Sequence, residues 1–184
     1  DDGADVRRVW LKDQLGASME GLSSALDVED VDAIIVQHNF GFHDPAELNR
    51  FLIGQRNRGR DVIVEMHSTI DPPAREMRRI DMFAEGLRAA TRVLVHSVAD
   101  LNRLKAAGVV ENTVLFPHGV VDGPPTDFKA RRKDGFTIAS YGFLLPHKGL
   151  ELLLEAFERL AAKDSTLKLH FVNAVFPAPV SAEM

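Results

Sequence analysis

The sequence predicts an α/β protein, built on parallel sheet with helices on both faces. Three observations carry this expectation. Six short apolar runs of strand length recur along the chain, amphipathic stretches of helix length separate them, and most of the runs are nearly continuous rather than alternating. Strand–helix alternation with short connections favours parallel pairing, and continuous apolar runs suit strands covered on both sides.

The runs are AIIVQ (33–37), VIVEM (62–66), RVLVHS (92–97), TVLF (113–116), FTIASY (136–141) and LKLHFV (167–172). Before the first of them, Trp10, Leu11 and Leu15 have the spacing of an amphipathic helix, and SMEGLSSALD continues as another. PAELNRFLIGQRNRG reads as a helix opened by Pro45 and ended by Gly59. REMRRIDMFAEGLRAA (75–90) places Ile80, Phe83 and Leu87 at helical spacing. SVADLNRLKAAG offers Ser97 as N-cap, Asp100 as the capping-box acid and Gly108 as terminator. GLELLLEAFERLAAK (149–163) is the strongest amphipathic pattern, with Leu150, Leu153, Leu154, Phe157 and Leu160 along one side.

Residues 119–135, GVVDGPPTDFKARRKDG, hold three glycines, two prolines and a charge cluster. That is linker composition. It divides the chain into a piece of four strands (1–118) and a piece of two strands and one helix (136–184). Two strands do not make a self-sufficient sheet, so the second piece reads as the start of a domain. Asp1 in the first position and the interior character of SAEM at the end predict a portion of a longer protein. The apolar face of LELLLEAFERL, uncovered in so small a piece, predicts association of the chain as a homodimer or domain-swapped pair.

Composition narrows the function classes. With 184 residues, 45% hydrophobic content and net charge −5, the chain has no basic footprint for nucleic acid. No apolar run approaches the roughly 20 residues of a membrane span, and no signal segment opens the chain. Cysteine is absent, which excludes disulfides and thiolate metal sites and fits a reducing compartment.

Three segments fall where strands end and helices begin, the place where open α/β sheets bind ligands. In GFLLPHKG (142–149), Gly142 turns the chain out of a strand and Gly149 lets backbone approach a ligand at a helix start. An anion is favoured there by exposed N–H groups and the helix dipole. Lys148 adds a point charge whose hydrogen bond to a phosphate contributes roughly 1.5–3 kcal/mol; equally, a solvated lysine suits an ordinary connection. In EMHST, His67 ends a strand, positioned to act as acid or base near neutral pH or simply to bond neighbouring backbone. In QHNFGFHD, the four-residue spacing of His38 and His43 would suit a metal only on a helix, and Gly41 and Pro45 bracket a loop. No metal ligand set is therefore assigned. His96, His118 and His170 read as structural or incidental, and Ser97 as a cap rather than a nucleophile.

The order of these segments resembles one family. VDAIIVQHNFGF, DVIVEMHST, TRVLVHSVADLNRLKAAGV, TVLFPHGVVD and TIASYGFLLPHKGLELLLEAFERL, from residue 32 to about 174, are similar in sequence and order to the retaining family-4-type (group 1) glycosyltransferases of the GT-B fold. The resemblance implies two Rossmann-like domains in an incomplete GT-B architecture: the end of the acceptor domain (1–118), the interdomain linker (119–135) and the start of the nucleotide-sugar donor domain (136–184). It implies sugar transfer from a nucleotide diphospho-sugar to a glycan or lipid-linked acceptor hydroxyl, without cofactor or catalytic metal, in the cytoplasm or at the inner membrane surface. Lys148 then matches the lysine on the donor diphosphate, Gly142 and Gly149 the glycines of the phosphate loop, and His67 the catalytic-cleft histidine on the acceptor side. Phe143 departs from the pattern, because many members hold an arginine there; His147 is the nearby group expected to replace it in part. The family's glycine-rich acceptor loop would precede Asp1 and its paired glutamates would follow Met184, so the chain alone is expected to transfer no sugar. Two alternatives stand beside this: a GT-B sugar-nucleotide epimerase or phosphorylase, and a degenerate, non-catalytic binding or scaffold protein.

Overall fold

A computed structural model describes residues 6–10, 16, 18–73, 78–123 and 136–176. The chain divides into two compact units, Asp1–Val121 and Asp122–Met184.

The first unit opens with α1 (Glu20–Val28), followed by β1 (Ala33–His38), α2 (Pro45–Asn57) and β2 (Asp61–Met66). A 3-10 turn (Ile80–Phe83) leads into α3 (Ala84–Ala89), then come β3 (Arg92–Val95), α4 (Val98–Ala106) and β4 (Thr113–Leu115). The four strands form one parallel sheet in the order β1-β2-β3-β4. Register places His38 beside Met66 and Met66 beside Val95, which in turn lies beside Leu115. Ile34, Val36, Val62, Val64, Met66, Val93 and Val95 therefore share one face, and all are buried. Leu48, Phe51 and Leu52 of α2, Phe83, and Leu87 of α3 complete that core.

The expectation of strands buried on both faces holds less well for β1, which lies at the sheet edge. Its residues alternate between buried and exposed, and Ile35 is 64% exposed. On this second face Gln37 is exposed too, and Ile63, Glu65 and Leu94 are only half-buried.

Local chemistry explains most helix ends. Asp44 accepts from the Glu47 amide at 3.0 Å ahead of Pro45, and Ser97 accepts from the Asp100 amide at 3.2 Å. The Asp100 carboxylate answers through the Ser97 hydroxyl. The helix expected over 75–90 is shorter than its periodicity suggests. Residues 74–77 lie outside the described set, Arg79 is extended, and the regular turn starts at Ile80, whose amide donates to the Asp71 carboxylate at 2.9 Å. The helix expected at Trp10–Leu15 falls mostly outside the described residues; 6–10 have no regular structure.

Gly86 is where α3 meets α2. Its amide donates to Asn49 Oδ1 at 2.6 Å, and a Cβ there would lie 3.0 Å from that oxygen and 3.1 Å from the Asn49 Cα and carbonyl oxygen. Backbone cannot yield as a flexible side chain does. Gly86→Ala is expected to cost about 1–3 kcal/mol, read as a lowered urea midpoint; an unchanged midpoint would show that the two helices separate freely.

In the second unit, β5 (Thr137–Leu144) pairs in parallel with β6 (Lys168–Val175) across the helix α5 (Leu150–Ala161). Leu150 is its buried apolar residue among those described; Leu153 and Phe157 are half-buried, and Leu152, Leu154 and Leu160 are exposed.

Candidate functional site

The carboxyl ends of the strands carry the chemistry-bearing side chains. His67 follows β2 by one residue, His96 follows β3 by one, and His118 lies three beyond β4. Met66 pairs with Val95 and Val95 with Leu115. Side chains alternate faces along a strand, so His67, His96 and His118 continue the second face, with Gln37 and Glu65. The ladder runs on past the strand ends: the His67 amide donates to the His38 carbonyl at 3.0 Å and the Phe116 amide to the Val95 carbonyl at 2.7 Å. One ring nitrogen from each of the three histidines lies within 4.8 Å of the others. The His96 and His118 rings stack at 3.5 Å, and His67 sits 5.4 Å and 5.9 Å from them.

Hydrogen bonds orient the rings. The Gln37 amide nitrogen donates to Glu65 Oε2 at 2.6 Å, because a carboxylate only accepts. Gln37 Oε1 is then turned to His67 and takes a hydrogen bond from its Nε2, which leaves the lone pair on His67 Nδ1. His96 Nδ1 donates to the Phe116 carbonyl at 2.8 Å, leaving the lone pair on Nε2. That nitrogen is buried, without a hydrogen-bond partner among the described residues, and 3.4 Å from Glu65 Oε1. Behind His67, buried Thr69 donates to Asp100 and accepts from Arg103 at 2.9 Å, fixing the loop to α4.

His38 and His43 are placed otherwise. His38 has the opposite parity and points into the core, where its ring lies 4.9 Å from Phe83, 5.3 Å from Phe40 and 5.5 Å from the stacked His43. Trp10 stacks on the far side of His43 at 5.1 Å. Burial, with the nearby His43 and His67, lowers the His38 pKa to about 3, and burial lowers that of His43 to about 4. They are neutral core rings.

In the second unit, β5 ends in a 3-10 turn (Pro146–Lys148) closed by Gly149, whose φ of 65° is left-handed backbone that glycine adopts without strain. His147 and Lys148 are exposed, and open space surrounds the Gly149 Cβ position. No side chain caps α5; its first intrahelical bond runs from the Leu153 amide to the Gly149 carbonyl, so the amides of residues 150–152 precede the ladder. Glu151 stands in that first turn. Phe143, half exposed and paired in register with Ala174, sets its ring edge-on to Phe176 at 5.3 Å.

Of the residues singled out by sequence, His67 stands at a strand's carboxyl end, and His147, Lys148 and Gly149 share one strand-to-helix connection. Gly142, expected to turn the chain out of the strand, lies instead inside β5, where it pairs with Asn173 at a φ of 122° while the strand runs on to Leu144. Sequence reasoning missed that His96 and His118 join His67. Their common signal was position: each follows a strand-like run.

Parallel sheets flanked by helices, with polar groups beyond the strand ends, form a Rossmann-like partial GT-B fold, the class the sequence predicts. No known family's sequence profile matches the chain, and neither does any curated protein. Solved structures do. TarM is similar with a TM-score of 0.63 and 15% identity, over 89% of this chain and 32% of its own. A mutant of S. aureus TarM in complex with fondaparinux, α-GlcNAc-glycerol and UDP gives 0.62 and 14%, over 92% of this chain and 34% of its own. The chain thus spans about a third of the length of these structures, and the likeness is one of fold. No helix among the described residues is long and apolar enough to cross a membrane.

Proposed function

We propose that the chain is part of a retaining glycosyltransferase that moves a sugar from a nucleotide diphospho-sugar to a glycan or lipid-linked hydroxyl, in the cytoplasm or at the inner membrane surface, and that it spans the end of an acceptor domain and the start of a donor domain. The observation that carries this reading is the β5–α5 connection, where an exposed lysine and a left-handed glycine precede three helix-start amides. Such a terminus attracts anions. A departing diphosphate needs positive groups of this kind, and Lys148 supplies a full charge without a metal. The TarM complex holds UDP, and the fold is shared across nearly the whole chain. His67 is the proposed acid–base group on the acceptor side.

Isothermal titration of this chain with UDP tests the reading. Binding is expected in the millimolar range, weakened about tenfold to a hundredfold in Lys148→Ala, as a lost charged hydrogen bond of roughly 1.5–3 kcal/mol requires. A smaller loss in His147→Ala would give that ring a share of the role assigned to it. Equal affinity in wild type and Lys148→Ala would sink the proposal.

Phe143 favours a second reading, a binding protein without turnover, since an apolar ring packed on Phe176 occupies the place where the resemblance puts a second cation. The two part on acceptor-dependent release of UDP by the full-length protein.

A further inference from the structure

We infer that His67, His96 and His118, with Glu65 beside them, form a binding site for one divalent transition-metal ion of the zinc class. The argument starts from two acceptors that face each other. His96 commits its Nδ1 proton to the Phe116 carbonyl, so its buried Nε2 presents a lone pair. Opposite, at 3.4 Å, is an oxygen of the Glu65 carboxylate. Two lone pairs at that distance repel unless a cation lies between them. The spacing itself has a meaning: a nitrogen and an oxygen bound at about 2.0–2.2 Å to one tetrahedral ion are about 3.4 Å apart.

The other two rings complete the set. Gln37 holds the Nε2 proton of His67 and leaves Nδ1 to ligate, while its own amide nitrogen fixes Glu65. His67, His96 and Glu65 thus each have an outer hydrogen-bond partner, the arrangement that sets tautomer and ring direction in histidine metal sites. His67 and His118 are exposed and can turn, which closes the 4.8 Å spread of donor nitrogens and unstacks His118 from His96. Three imidazoles and a carboxylate or solvent oxygen suit zinc, cobalt, nickel or copper rather than magnesium or calcium. Ligation takes the His67 ring away from the acceptor-side role proposed above, so metal and acceptor compete for it.

The test is titration of the chelator-stripped chain with Zn²⁺ by calorimetry, and with Co²⁺ by its visible ligand-field absorption. One ion per chain is expected, with tetrahedral cobalt bands. His118→Ala and Glu65→Gln should each weaken binding tenfold or more, whereas His170→Ala, in the other unit, should leave it unchanged. His96 is half-buried and its replacement disturbs packing, so the exposed His118 carries the decision. Absence of stoichiometric uptake, or equal affinity in His118→Ala, overturns the inference and assigns the Glu65–His96 contact to a proton. Neither result bears on UDP binding at Lys148, which is read separately.

Discussion

Lowering the pH from 7 to 5 is expected to remove about 4 kcal/mol of stability from this chain. The cause is the pair His38 and His43. Both rings are neutral in the folded core, where burial holds their pKa values near 3 and 4. In the unfolded chain they titrate near the ordinary histidine value. Between those limits the unfolded state binds more protons, so stability falls as pH falls. The contribution is complete above about pH 6.5 and is lost progressively towards pH 4 to 3, at about 1.4 kcal/mol per pH unit for each ring. Carboxylates act lower: hydrogen bonds from Arg79 to Asp81 and from Thr166 to Asp164 depress those groups below the usual range, so their share is lost only nearer pH 4 and beneath. Urea midpoints at pH 7, 6 and 5 measure the histidine window. His38→Leu should halve the slope, and it should not harm the core, since both His38 ring nitrogens lack hydrogen-bond partners among the described residues. A midpoint that stays constant from pH 7 to 5 would mean that the rings are solvated rather than buried.

The same two histidines show what a sequence discloses and what it conceals. Strand positions were legible because Val, Ile and Phe cluster in runs such as VIVEM, and helix starts because Asp44 and Ser97 cap locally. Each of those signals is contained within a few residues. Which histidines meet depends on register, and register joins residues 30 apart. Once Met66 lies beside Val95, parity alone sends His67 and His96 to one face and His38 to the other. No spacing along the chain contains that fact. The shortened helix before α3 has the same origin: Ile80, Phe83 and Leu87 have helical spacing, yet the turn begins where the distant Asp71 carboxylate caps it. The lysine–glycine turn before α5 was visible in advance because a left-handed glycine is a local requirement, whereas the run of β5 through Gly142 to Leu144 depends on pairing with β6, which no local spacing contains.

Arg60→Met is expected to cost about 3–5 kcal/mol, the second large effect, and nothing in the sequence marks this arginine as structural. It is 8% exposed. Its Nε donates to the Val31 carbonyl at 2.8 Å, one terminal nitrogen to Gln55 Oε1 at 2.6 Å, and the other to the Leu26 carbonyl at 3.0 Å. That last nitrogen also pairs with Asp27 at 2.8 Å, and the hydrogen bond from Arg60 is the main reason the Asp27 carboxyl titrates below its usual range. One guanidinium thereby ties the end of α1, the approach to β1 and the last turn of α2 to the start of β2. Methionine fills much of the volume but removes the donor from four acceptors, two of them backbone carbonyls. Arg60→Lys keeps the charge and loses the planar fork, so it should recover only part of the deficit. The network sits at the amino ends of β1 and β2, the opposite edge of the sheet from His67, His96 and His118. Stability and site chemistry should therefore separate. Under conditions where Arg60→Lys remains folded, its metal affinity should equal wild type, while its urea midpoint falls. A variant that lost metal in proportion to stability would show that the two edges of this sheet are coupled, and that the strand-end cluster depends on the packing of α1 against the far end of the sheet.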